Sequence, residues 1–254
     1  MLIREDVDAS DLVAARFRRE GIDVRLNHTA KRIELIAGEE VLIVEDGQRE
    51  LRIPFDALLV AVAVARNANL KGYGLEELGV ITRCTVEVNA YLQTNLPNIY
   101  AAVNTLFDPF SEFRADYRVI PWATFVDPEV ARVGLNELEA KEREVASEVT
   151  VYHLDDPDRA IADGEAHGFV KVLAVPGRDR ILGATIVGEH AGDLLAEFVL
   201  AMKHGIGLNK ILGTIHTYPT PAEANKFVAG NWKRAHAPHK LLAWVERFHA
   251  RRRG

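Results

Sequence analysis

Apolar positions in residues 8–21 recur at helical spacing. Leu12, Val13 and Phe17 fall on one face, Asp8 or Ser10 stands as N-cap, and Gly21 occupies the position after the last turn, which predicts a short amphipathic helix. The period then changes from 3.6 to 2. Alternating runs at 32–36, 41–45 and 51–53, separated by turn residues such as Asp46-Gly47, predict a small antiparallel meander. The unbroken apolar run 57–65 reads as a strand buried on both faces. Residues 72–79 form a turn around Leu75-Glu76-Glu77-Leu78, with short strands expected at 85–88 and 98–101.

Beyond Pro121 the punctuation becomes regular. Strands are expected at 130–133, 149–153, 169–174 and 181–187, a helix at 137–144, and a Pro176-Gly177 turn between the last two strands. Three helices follow: 191–204, with Leu194, Leu195, Phe198, Val199 and Met202 at helical spacing; 221–233, after Pro219-Thr220-Pro221; and about 240–251.

The chain has 254 residues, 48% hydrophobic and 27% charged, enough for one large or two ordinary domains. No apolar run reaches the roughly 18–20 residues of a membrane span, and no secretory leader is expected after Met1. With 31 Lys+Arg against 37 Asp+Glu, the net charge of −6 gives no basic field for nucleic acid. The single cysteine, Cys84, excludes an intrachain disulfide or dithiol pair and suits a reducing, cytoplasmic setting. No His pair has helical metal-ligand spacing. His236 and His239 lie in an Ala-Pro loop, so no metal site is expected. A Gly-x-Gly-x-x-Gly fingerprint is also missing: Gly72-Tyr73-Gly74 and Gly205-Ile206-Gly207 both lack the third glycine.

Three segments carry the most information: residues 122–134 (Trp-Ala-Thr-Phe-Val-Asp-Pro-Glu-Val-Ala-Arg-Val-Gly), 181–188 (Ile-Leu-Gly-Ala-Thr-Ile-Val-Gly) and 214–223 (Thr-Ile-His-Thr-Tyr-Pro-Thr-Pro-Ala-Glu). In this order they resemble the dimerisation domain of the flavin-dependent pyridine nucleotide-disulfide oxidoreductases, the family of dihydrolipoamide dehydrogenase, glutathione reductase and mercuric reductase. Residues 56–61, 66–69, 75–80 and 94–101 resemble that family's passage from its NAD(P) domain back to its FAD domain.

The resemblance implies an α/β and α+β chain: the second half of a Rossmann-like NAD(P)-binding domain at 1–69, a remnant of the FAD-binding domain at 70–118, a dimerisation domain at 119–238 and a C-terminal helix at 239–254. It implies FAD and NAD(P) as cofactors and a homodimer formed through 119–238. The helix at 191–204, with Phe198 central, is the expected contact. After Ala102 the family's Gly-Asp and flavin-side helix are replaced directly by Val103-Asn104-Thr105, which reads as a deletion of roughly 20 residues.

By the same resemblance, Ala65 and Arg66 stand where the family has a Gly-Arg cofactor contact, and Pro219 lies beside the site. Ala65 adds a Cβ where backbone must approach closely. Tyr218 takes the place of the family's acid-base His, with Glu223 as its orienter. His216 is a second candidate. Tyr, with a pKa near 10, is a poor base but a usable proton or hydrogen-bond donor; the alternative is a packed phenol with its hydroxyl satisfied. The chain is therefore expected to bind neither cofactor alone. It is either completed by a separately encoded N-terminal half or serves as a non-catalytic dimerisation module.

Overall fold

The computed structural model describes residues 2–47, 49–61, 68–101, 117, 119–238, 247 and 249. Two compact units emerge, one of Met1–Val24 with Arg118–Gly254, the other of Arg25–Tyr117. This division differs from the expected segments, because residues 1–24 join the later half of the chain.

The Arg25–Tyr117 unit is built on an antiparallel meander of β1 (His28–Ile36), β2 (Glu39–Asp46) and β3 (Arg49–Pro54), in that spatial order. The first turn has positive φ at both Ala37 (54°) and Gly38 (92°), the combination that matches the twist of a two-residue hairpin. Central β2 buries Val41, Ile43 and Val44. Arg32 grips both oxygens of Glu50 (2.8 and 3.2 Å) and also reaches Glu34.

The expected buried strand at 57–65 does not form over its described part. Residues 57–61 have no strand pairing, and Leu59 and Val60 are 90% and 69% exposed. A strand buried on both faces needs sheet neighbours and two covering layers, whereas the sheet described in this unit is a three-stranded antiparallel one. Leu58–Ala61 instead line an apolar groove with Ile33 and Leu42. The strands expected at 85–88 and 98–101 reduce to the single bridges Thr82/Val86 and Gln93/Tyr100. The Asn89 side chain accepts from the Tyr91 and Gln93 amides and bends the chain between them.

In the other unit, α1 (Val7–Arg19) is followed by β4 (Pro121–Thr124), β5 (Val130–Gly134), α2 (Glu137–Glu142), β6 (Glu148–His153), α3 (Asp158–Asp163), β7 (Phe169–Ala174), β8 (Ile181–Val187), α4 (Ala191–Lys203), α5 (Leu208–Leu212) and α6 (Glu223–Ala235). The five strands form one antiparallel sheet, ordered β4-β5-β8-β7-β6.

Strand alternation sorts its two faces. Ala131, Val133, Val170, Val172, Ala184 and Ile186 pack beneath α4 and α6 in the main core. The intervening Val130, Phe169 and Val187 meet Ala9 and Val13 of α1. Gly183 is obligatory because an added Cβ would overlap the Leu135 backbone.

The α1 face also carries two buried cations. Arg132 and Lys171 each have a side chain only 1% exposed. The segment entering α1, the first turn of α1 and helix α2 supply their counter-charges. Arg132 meets Glu5 at 3.1 Å and Glu139 at 2.9 Å, and lies over the Trp122 ring at 4.1 Å. Lys171 meets Asp6 (3.1 Å), Asp8 (2.5 Å) and Glu137 (2.7 Å). Asp6 also accepts from the Glu137 and Leu138 amides at the start of α2, and the Arg4 carbonyl accepts from Asn136. Burial pulls the Lys171 ammonium pKa down, but the surrounding carboxylates outweigh it and hold it above the ordinary value.

Two expectations concern the C-terminal helices. Phe198 is fully buried in its own core and Leu195 is 2% exposed, so the α4 stripe serves intrachain packing and does not present Phe198 to another subunit. The helix expected at 240–251 lies almost wholly outside the described residues. Among the described residues, no helix is long and apolar enough to cross a membrane.

Candidate functional site

The segment between α5 and α6 carries the sequence-derived candidates. It leaves α5 at Gly213, where the Thr214 amide bonds the Ile211 carbonyl and the Thr214 hydroxyl bonds the Lys210 carbonyl. From Ile215 to Ala222 no backbone N–H donates to a backbone carbonyl among the described residues, so side chains set its path. Thr220 Oγ1 donates to the Thr217 carbonyl at 2.6 Å and closes a local turn around the cis Tyr218-Pro219 peptide.

Ile215 is 94% exposed and Tyr218 67%, whereas the His216 side chain between them is only 7% exposed. His216 Nε2 lies 3.1 Å from both oxygens of Glu197 on α4, and Nδ1 lies 3.1 Å from the Thr214 carbonyl. Asn225 on α6 donates to the same Glu197 carboxylate (3.0 Å) and to the Leu194 carbonyl (2.9 Å).

Tyr218 turns the other way. Its hydroxyl donates to Asp158 Oδ2 at 2.7 Å, in the first turn of α3. That hydrogen bond holds the phenol above the ordinary tyrosine pKa, with Glu223 adding only a more distant negative charge. The phenol is therefore neutral at physiological pH, and its oxygen lone pairs are available to an incoming donor. Donation from Tyr218 to another group requires release from Asp158.

The remaining candidates are dispersed. Pro219 lines a cleft with Arg159, Glu165, Glu189 and His190. Glu223 opens α6, its amide bonding the Thr220 carbonyl. Ala65 and Arg66 lie outside the described residues, as do residues 102–116, where the deletion is expected. Cys84 is exposed and free. His236 stacks on Trp232 at 4.4 Å and faces Glu148 at 3.2 Å. No group of three or more metal-ligating side chains occurs among the described residues.

Sequence reasoning missed Asp158 and Glu197. The first lies 60 positions from Tyr218, too far for any local pattern. Glu197 did leave a signal, being the one carboxylate between Leu194 and Met202 in the apolar stripe of α4.

A dinucleotide pyrophosphate needs a glycine-rich turn from strand into helix, with free amides at the helix start. The sheets among the described residues are antiparallel throughout. The passage from β8 into α4 does have Gly188 in the turn and Gly192 in the first turn of the helix, but the Gly192 amide is taken by the Glu129 carboxylate at 3.2 Å. The described residues do not by themselves fit FAD or NAD(P).

Comparison with known proteins gives this architecture a lineage. Residues 1–105 match the family model described as pyridine nucleotide-disulphide oxidoreductase, and residues 120–228 match its dimerisation domain. Dihydrolipoyl dehydrogenase of Chlamydia trachomatis is 31% identical over 245 residues, covering 88% of this chain and 51% of the relative. Mercuric reductase of Streptomyces lividans is 31% identical over 252 residues, covering 89% and 52%. Among solved structures, the copper(II) complex of a mutant HOCl-induced flavoprotein disulfide reductase from Escherichia coli superposes with a TM-score of 0.76 at 22% identity. It covers 89% of this chain and 55% of that one. The chain thus spans about half the length of these relatives. A Rossmann-type redox segment followed by a dimerisation domain, matched in order, places this chain in the pyridine nucleotide-disulphide oxidoreductase family.

Proposed function

We propose that this chain forms the C-terminal half of an FAD-dependent NAD(P)H oxidoreductase of the disulfide reductase type. In this reading it pairs into a homodimer through residues 119–238 and presents Tyr218 across the interface as the proton-handling residue. The observation that carries the reading is a dimerisation unit with a packed core from which Tyr218 projects, 67% exposed and already paired with a carboxylate. The exposed apolar side chains Leu200, Ile215 and Tyr218 give the pairing its surface: Leu200 lies one turn beyond Glu197, where His216 inserts. The free, exposed Cys84 suits a reducing, cytoplasmic setting.

Alone, these residues bind neither cofactor. The pyrophosphate-binding turns and the redox cysteine pair come from a complementary N-terminal segment. The mismatch with dinucleotide geometry also supports a second reading, in which the chain is a non-catalytic dimerisation module.

Purified chain is expected to be colourless, to show no micromolar FAD binding by isothermal titration, and to sediment as a dimer. Micromolar FAD binding or a well-folded monomer at micromolar concentration overturns the respective part. Once a complement restores flavin and turnover, Tyr218→Phe lowers that turnover about 10²-fold, as expected for a lost general acid. A complemented complex that never turns over selects the module.

A further inference from the structure

We propose that His216, hydrogen-bonded between the Glu197 carboxylate and the Thr214 carbonyl, is the positioning residue that keeps Tyr218 on Asp158. The inference deepens the reading above and rests on it only for the importance of Tyr218.

The ring is held from both sides. Both ring nitrogens face acceptors: Nδ1 a carbonyl at 3.1 Å, Nε2 two carboxylate oxygens at 3.1 Å. A ring N–H at Nε2 donates to a carboxylate, and hydrogen bonds with a charged partner are about twice as strong as neutral ones.

The carboxylate is itself held. Asn225, 1% exposed, donates its amide both to Glu197 and to the Leu194 carbonyl. Because both neighbours are acceptors, the amide nitrogen must face them. Helices α4 and α6 thereby fix Glu197, Glu197 fixes His216, and His216 fixes a segment that has no backbone ladder of its own.

Tyr218 lies two residues further on, and among the described residues the side chains between Ile215 and Ala222 hydrogen-bond to other elements at two places, His216 to Glu197 and Tyr218 to Asp158. The second is solvent-exposed, with water competing for the phenol. The more sheltered first contact, with the His216 side chain 7% exposed, therefore does the holding.

The test uses the full chain labelled at tyrosine Cζ, with the Tyr218 resonance assigned from Tyr218→Phe. In the wild type, Tyr218 titrates above the ordinary tyrosine value of about 10, against the two carboxylates that act on it, Asp158 and Glu223. Asp158→Asn brings the midpoint down to about that value, which establishes the readout. His216→Gln, folded by circular dichroism, is expected to bring it down equally. A Tyr218 midpoint unchanged in His216→Gln but lowered in Asp158→Asn overturns the proposal. Should His216→Gln fail to fold, Glu197→Gln, which removes the carboxylate that His216 meets, is read in the same way: a Tyr218 midpoint lowered as in Asp158→Asn supports the clasp, and an unchanged one overturns it. These outcomes are independent of flavin binding and turnover, so failure of the proposed function is read separately.

Discussion

Replacing Lys171 with methionine keeps most of the side-chain volume and deletes its charge. The three carboxylates around it then fare differently. Asp8 and Glu137 are about half exposed, at 50% and 49%, so each loses a screened partner worth no more than about 1 kcal/mol. Asp6 is 6% exposed and is left as a buried anion with two amide donors, at 3.4 and 3.3 Å. Breaking a buried pair in this way costs about 3–5 kcal/mol, and the surviving amides favour the lower end. For a unit of this size the melting temperature falls by about 2–4 °C per kcal/mol, giving a drop of about 6–12 °C.

Arg143→Ala, which removes a 3.8 Å pair from a side chain 64% exposed, is the control and is expected to cost under about 1 kcal/mol. Replacing both buried partners, Lys171→Met with Asp6→Asn, should recover part of the loss, because no charge is then stranded. Urea unfolding followed by far-ultraviolet circular dichroism measures all three. The reasoning is refuted if Lys171→Met is no worse than Arg143→Ala, or if the double variant is merely the sum of the singles. Because the Lys171 pKa is raised on folding, its contribution is fully present below the unfolded lysine value near 10.4 and disappears only as pH rises through the folded value. Wild-type stability should therefore show an alkaline loss that Lys171→Met lacks.

Phe198→Ala, at a fully buried position, should cost about 3–5 kcal/mol in the same unfolding assay while leaving the oligomeric state of the folded fraction unchanged by sedimentation. Gly183→Ala forces a Cβ into the Leu135 backbone, so the soluble yield should collapse; a well-expressed variant with wild-type melting contradicts the packing. Burial raises the Glu148 pKa, but the Trp232 indole, the Gly177 amide and His236 more than offset this and leave it below the usual carboxylate value. Its contribution is present above the unfolded value near 4.3 and lost as pH falls through the folded one. Trp232→Phe should accordingly move the acid-unfolding midpoint to higher pH.

The regular half of the fold was legible because its elements state their own periods. The strands at 130–134, 169–174 and 181–187 appear where alternation and turn residues place them, and α1 begins within a residue of the expected start. Residues 57–61 show the limit. An apolar run reports a demand for burial, and whether a strand forms depends on neighbours that the run does not encode. Phe198 shows another, since periodicity identifies a buried stripe without saying whether the cover is intrachain. At the site, the order of His216, Tyr218 and Glu223 was readable, but the partners were not. Asp158 and Glu197 reach the loop through tertiary packing of α3 and α4, and no local spacing carries that information.

The split composition of the larger unit has a kinetic consequence. The contacts among β6, β7 and β8 close short loops, whereas Asp6 and Lys171 stand 165 positions apart. By loop-closure entropy, that contact costs about 3 kcal/mol more to form than a four-residue turn. As a 13-residue helix, α1 is marginal in isolation and must wait for the sheet face that covers it. Its docking is therefore expected to be a late event in folding, and its release an early one in unfolding. During synthesis Val13 and Ala9 stay uncovered until Phe169 and Val187 have been made, which exposes the nascent chain to aggregation over that interval.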